Sequence, residues 1–302
     1  MKLKRIWTAW DTWWLGDVAP HPLALVRIAA GTWLFGYWLI KLPGVPMLFS
    51  DQGITIPIVT RGPALLLVAL QLPPASVAYG IYAVLLLALC GLALGWRSQL
   101  MAVIAFTLSV YFWMISLHLY GSSFDMLYLF LLFSLMFSDA GGTYSLDMKL
   151  RHGSWTAWKP VCALSQRLIA VQVTATYTGV CWQKFVLEQW QGGEVLYYNM
   201  MSIWATPPAF WFVKHVPWMP VYDALVHGVE FLQFIIPIGL WTGHLRPVGV
   251  AAGIVFHCII VAFLGMGWFL VMPPTYVLFP RPESVRDALF RRFPSLAGPE
   301  VR

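Results

Sequence analysis

The residues able to do chemistry concentrate in Ser165–Tyr198, SQRLIAVQVTATYTGVCWQKFVLEQWQGGEVLYY. The stretch reads as a helix apolar enough to enter a bilayer, yet it carries Gln172, Thr174, Thr176, Tyr177, Thr178, Gln183 and Lys184. Helical spacing places Tyr177, Val180, Cys181 and Lys184 on one face, so a phenol and an amine look into the same space. Exposing an ionised group to lipid at the bilayer centre costs about 3 kcal/mol or more, which turns such a group toward protein or a water-filled cavity. Two readings of Lys184 stay open. In one it snorkels to the interface from the end of its span and pairs with Glu188 one turn on. In the other it is a desolvated amine, held neutral by burial and able to act as a base near neutral pH.

Two further stretches carry polar groups. Val221–Trp241 holds Asp223, His227, Glu230 and Gln233, and the first three recur at i, i+4 and i+7 as one polar stripe. His227, toward the end of that helix, reads as structural. His257 lies in GIVFHCIIVAF with no polar neighbour in sequence. Burying it unpaired would cost about 1–3 kcal/mol, so a partner is expected. With Arg27 in the first span, these groups are what the bundle has to hide, and together they imply a polar interior cavity. Proton relay, substrate binding and helix-to-helix hydrogen bonding all generate this pattern.

The elements that must position them are set by composition. Of 302 residues, 59% are hydrophobic and 11% are charged, with mean hydropathy +0.70. Soluble domains carry about 25% charged residues, so the expected class is an all-α integral membrane protein, a polytopic bundle of about seven spans with interfacial or re-entrant helices. The spans fall at Pro22–Leu42, Ser76–Trp96, Leu100–Leu119, Phe124–Phe137 with its flanks, the opening of Ser165–Tyr198, Val221–Trp241 and Pro247–Met272. Pro63–Leu72 is too short to cross and reads as half-inserted. Asn199–Trp218, with three prolines among aromatics, reads as re-entrant or surface-lying.

The formal charge of +6 comes from loops and tails, which favours attraction to a lipid surface over nucleic acid. Residues 1–19 read as an amphipathic, Trp-rich interfacial helix rather than a signal peptide, residues 20–278 as one membrane domain, and residues 279–302 as a basic tail. The Cys90, Cys162, Cys181 and Cys258 spacing suggests neither a metal centre nor a required disulfide. The 139–167 connection, rich in Lys and Arg, is expected on the cytoplasmic side with the N-terminus. Seven spans then strand the arginine-rich tail on the opposite side. Either the tail breaks the charge rule or one half-inserted segment crosses.

A family likeness runs in order through these segments. HPLALVRIAAG (21–31) with Arg27, FSDQGI (49–54), LALGWRSQLMAVI (92–104), FSDAGGTYSLD with Asp139 and Asp147, then Gln172, Tyr177 and Lys184 followed by Trp190 and Gly193, and finally GIVFHCIIVAFLGMGWF (253–269) resemble the horizontally transferred transmembrane (HTTM) domain family, the membrane portion of vitamin K-dependent gamma-glutamyl carboxylase. The resemblance implies that Lys184 acts as base toward vitamin K hydroquinone or another lipid quinol. It also implies that O2 is consumed, that the quinone becomes an epoxide, and that CO2 or bicarbonate is added to a glutamate. His257 becomes a second catalytic residue by its place in the FHC span, and Tyr177, Arg27, Glu230 and Gln172 become quinol-binding residues.

Two departures qualify the likeness. The Asn-His pair that precedes the family's fourth span is replaced by Gly121-Ser122-Ser123-Phe124-Asp125, and no long β-rich soluble region follows the spans. Quinol oxidation is expected to survive these losses, while recognition of clotting-factor-like substrates is not. The stand-alone domain is also similar to proteins that mature small secreted bacterial peptide toxins. The expectation is therefore a multi-pass enzyme of a bacterial inner membrane, whose partners are the lipid bilayer and a small peptide. The rival is a non-enzymatic membrane protein for maturation, export or immunity of such a peptide, with Lys184 structural. A transporter is disfavoured, because no broken helices recur in corresponding halves.

Overall fold

The computed structural model describes residues 2–54, 72–116 and 123–301. The half-inserted piece expected at Pro63–Leu72 lies, but for its last residue, outside the described residues, as do Gly121 and Ser122. The chain forms two compact units, Met1–Leu168 with Pro282–Arg302, and Ile169–Arg281. Almost all regular structure is helical. Among the described residues five helices are long and apolar enough to cross a membrane, so this is an all-α, multi-pass membrane protein.

In the first unit α1 (Lys2–Leu15) is followed by the short strand β1 (Asp17–Val18), the span α2 (His21–Ile40) and the short α3 (Val45–Phe49). The spans α4 (Ala75–Leu94) and α5 (Ser98–Ser116), the shorter apolar α6 (Ser123–Met136) and the polar α7 (Leu146–His152) come next. Helices α2, α4, α5 and α6 alternate in direction. One end is filled by the buried rings of Trp38, Phe49, Tyr82 and Phe112. Phe49 and Phe112 stand 4.7 Å apart between centroids, and the Tyr82 hydroxyl donates to the Trp38 carbonyl.

At the other end the Arg27 side chain is fully buried, at 0% exposure. Its Nε donates to Ala140 O at 3.0 Å, Nη1 to Leu92 O at 2.6 Å and Ala93 O at 2.7 Å, and Nη2 to Tyr144 O at 2.7 Å. Leu92 and Ala93 are in the last turn of α4, where carbonyls run short of intrahelical donors; Leu92 O also accepts the Gly95 amide at 3.1 Å. A guanidinium there also meets the negative end of the helix dipole.

The same end collects both ends of the chain. β1 pairs antiparallel with β2 (Val161–Cys162), Asp17 opposite Cys162 and Val18 opposite Val161. The C-terminal segment, with α13 as its helix (Pro282–Arg292, numbered after the second unit's α8–α12), packs against α2. Glu283 accepts from the Ala19 amide at 3.2 Å. Trp158 donates its amide to Pro299 O at 3.0 Å and accepts from the Val301 amide at 2.8 Å. Burial pushes the Tyr144 phenol up to about 12, so it stays protonated at neutral pH and donates to Leu296 O at 3.2 Å. The segment expected as a soluble tail is folded onto the 139–167 connection and the N-terminal strand.

The second unit resolves the conflict over sides. Its helices are α8 (Leu164–Val186, which enters from the first unit), the short α9 (Glu194–Asn199) and α10 (Pro207–His215), and the spans α11 (Met219–Trp241) and α12 (Arg246–Leu264). At 23 residues α8 is about 34 Å long, but its Gln and Thr residues leave it out of the strongly apolar set. α8 and α11 are antiparallel, since Trp241 Nε1 donates to Thr174 Oγ1 at 2.8 Å and Cys181 Sγ to Glu230 O at 3.4 Å. The helix expected over Pro247–Met272 stops at Leu264, because Gly265 takes the left-handed conformation (φ +63°) and caps it. The chain then runs back along α12 as two 3₁₀ stretches, Gly267–Val271 and Pro273–Leu278. Gly253 meets Tyr276, and Phe279 reaches the ring of Trp241 at 5.0 Å. At about 2.0 Å per residue such a stretch covers more length than an α-helix of equal count. The unit therefore begins and ends at one level. The extra passage is this irregular return, not a segment that the hydropathy pattern marks.

Gly95 caps α4 with φ +75°, and a Cβ there would lie 2.7 Å from Arg27 Nη1. Gly95→Ala is expected to destabilise the protein by about 2 kcal/mol, combining left-handed strain with displacement of the guanidinium. Thermal unfolding in detergent checks this; an unchanged midpoint would show that the Arg27 contacts carry little of the first unit's stability.

Candidate functional site

Helix α8 buries the face that its spacing predicts. Tyr177 and Cys181 are both buried, and Lys184 is 8% exposed. The other polar groups of the helix turn elsewhere. Thr174 and Thr178 donate to carbonyls of their own helix, and Gln172 pairs with Thr176 at 3.3 Å. The end of α8 is closed by Gln191, whose Nε2 donates to Phe185 O at 2.8 Å. That turn swings Trp190 over the lysine, with Nζ 4.2 Å from the ring centroid.

Lys184 and Trp190 form one side of a cavity of about 440 Å³. The remaining wall is apolar: Leu196 and Met200 beside α9, Phe212 of α10, Leu225, Val229 and Leu232 of α11, Phe256, Ile260 and Phe263 of α12, and Phe269 of the return segment. No carboxylate lies within 4 Å of the amine among the described residues, Glu188 included. Lys184 therefore does not pair with Glu188 one turn on. The amine has an aromatic face beside it and no hydrogen-bond acceptor among the described residues, next to a space of the size that holds small ligands.

His257 has the partner its burial demands. Nε2 is 2.8 Å from the Tyr177 hydroxyl, which is 2.5 Å from the hydroxyl of Tyr276. Nδ1 is buried with no partner among the described residues. The imidazole is in ring contact with Phe256 and Phe269, at 5.3 and 6.4 Å. Both of these line the lysine cavity, so the amine and the imidazole are separated by a layer of aromatic side chains rather than sharing one wall.

The polar stripe of α11 divides into three roles. Asp223 accepts the Gly193 amide at 2.6 Å and fixes the turn into α9. His227 is largely exposed and approaches Glu230 at 3.1 Å. Glu230 is buried against Cys181 without lining the cavity. Arg27 belongs to the first unit, and its donors are spent on four carbonyls there.

The model of the HTTM domain matches residues 58–283. The chain belongs to the HTTM family. This is a membrane-domain family related to vitamin K-dependent carboxylase. The matched region contains Gln172, Tyr177, Lys184, Glu230 and His257 and leaves out Arg27. No curated protein and no solved structure matches the chain.

Tyr276 is the site residue that sequence reasoning misses. Its partners come from two helices, and no local pattern around Pro273-Pro274 announces them. Gly253 makes room for it: a Cβ at 253 would lie 2.6 Å from the Tyr276 hydroxyl and 2.8 Å from its ring carbons. Gly253→Ala is expected to cost about 2 kcal/mol of stability, and most of that cost should vanish in a Tyr276→Ala background. A double-mutant cycle by thermal unfolding measures the coupling, and additive effects would contradict the contact.

Proposed function

We propose that this HTTM protein binds a lipid quinol with its ring in the apolar cavity beside Lys184, and that Lys184 acts as the base toward it. The observation that carries this reading is the buried amine with no hydrogen-bond acceptor and no carboxylate within 4 Å among the described residues, facing an apolar cavity. The residues present suit such a group. Flat apolar walls accept an aromatic ring and an isoprenoid tail, and the phenolic O–H of a quinol is the partner that Nζ lacks.

When bound, the quinol would supply the electrons for reaction with O2, with epoxidation of the quinone and, where a peptide glutamate is carboxylated, uptake of CO2. Lys184 Nζ takes the phenolic proton, and the Trp190 face 4.2 Å away then shelters the ammonium. The apolar wall keeps bulk water from the reacting atoms. Tyr177 and Tyr276 hold His257 behind Phe256 and Phe269, giving the imidazole a positioning role in this arrangement. A small peptide as final substrate and a bacterial inner membrane as the site of action complete the proposal, on the resemblance to proteins that mature secreted peptide toxins.

Lipid extracted from the purified protein is expected to contain a quinone. Lys184→Ala should lower oxygen-dependent quinol consumption in membranes by about 100-fold or more, the usual scale for a general base. Unchanged turnover in that variant would remove the base assignment. Absence of both quinone and turnover would favour a non-enzymatic partner of a peptide.

A further inference from the structure

A second cavity, of about 350 Å³, lies in the first unit where α5 begins. Arg97, Ser98, Asp139, Asp147, Arg151 and Lys159 contribute to its wall, and the reading above uses none of them. Three features of it lack a partner. The amides of Ser98, Gln99 and Leu100 open a 19-residue helix and have no acceptor among the described residues. Arg97, which precedes them in a left-handed conformation (φ +42°), has no side-chain oxygen with which to cap them. Ser98, a residue of the cavity wall only 5% exposed, carries a hydroxyl buried without a hydrogen-bond partner. Finally, Arg97 and Arg151 form no ion pair among the described residues, whereas Lys159 is neutralised by Asp139 at 2.6 Å.

We infer that this cavity binds an anionic phosphate group, held by the helix amides, the Ser98 hydroxyl and the two unpaired guanidinium groups. A helix N-terminus with free amides and a positive dipole end is a ready anion site, and arginine matches phosphate oxygens in bidentate geometry. Asp147 is the carboxylate in the wall with no ion pair within 4 Å among the described residues, the Arg27 guanidinium acting on it only from farther off. It disfavours a dianionic monoester and suits a singly charged phosphodiester whose headgroup hydroxyl can donate to it. The exposed apolar side chains of Leu94, Trp96, Leu100 and Phe137 flank the cavity in sequence and offer a surface for acyl chains. A hydroxyl-bearing anionic phospholipid combines these properties, and free inorganic phosphate shares the phosphate chemistry alone.

The test uses the full-length protein in a neutral detergent, titrated separately with phosphatidylglycerol, phosphatidylcholine and inorganic phosphate. Binding is followed by thermal shift and by native mass spectrometry. Retention of phosphatidylglycerol over phosphatidylcholine identifies the lipid, while a shift with inorganic phosphate alone identifies a free anion as the ligand; either supports an anion site. Arg97→Gln and Arg151→Gln should each weaken binding about tenfold, as expected for loss of a charged hydrogen bond. Both side chains are exposed, so these variants are expected to fold. Ser98→Ala removes a buried hydroxyl with no partner, so it should leave the ligand-free midpoint unchanged or raised and still weaken binding. No anion binding by the wild type, or equal binding by wild type and all three variants, overturns the proposal.

Discussion

Inside a bilayer there is no water to complete a hydrogen bond, and that constraint shapes both units of this protein. Where a helix ends or a backbone leaves helical geometry, something in the protein has to supply the missing partner. In the first unit the supplier is Arg27, which spends its donors on the last turn of α4 and on the loop after α6. A lysine could not do the same, because one ammonium cannot span four carbonyls in a plane. In the second unit the irregular return through Gly267–Leu278 is tolerated because its side chains are packed inside protein, Val271, Met272, Thr275, Tyr276 and Leu278 all being buried.

Most of the helices were legible in the sequence, since runs of about 20 apolar residues have few other uses. The three spans of the first unit, the shorter apolar helix α6 and the helix at the start follow from hydropathy and turn residues. What sequence did not reveal is long-range. The stop at Gly265 depends on a single left-handed glycine, which composition cannot tell from the helix-packing glycine at 253. The return segment has no periodicity of its own, and its course is fixed by distant partners such as Gly253, Tyr177 and Trp241. The docking of residues 282–301 depends on Trp158 and Tyr144, more than a hundred positions away.

The site shows the same division. Spacing placed Tyr177, Cys181 and Lys184 on one buried face, because that relation lies within a single helix. It also grouped Asp223, His227 and Glu230 as one stripe, yet Asp223 turns to the Gly193 amide while His227 meets Glu230, and the stripe is not the cavity wall. Arg27 was grouped with the amine by polarity and by the family likeness, and its donors meet four carbonyls within the first unit. The aromatic layer between Lys184 and His257 is built from Phe256 and Phe269, whose side chains carry no polar signal to suggest that they organise a reacting space.

The first unit is discontinuous in the chain, since residues 282–302 complete what residues 1–168 begin and the whole second unit is made in between. A ribosome that has released the four early helices has not yet produced the strand that clasps Trp158 or the carboxylate that receives the Ala19 amide. Until synthesis passes residue 301, the end of the bundle that holds Arg27 and His21 stays unlatched. Closure of the earliest part of the protein thereby waits on the whole of the second unit.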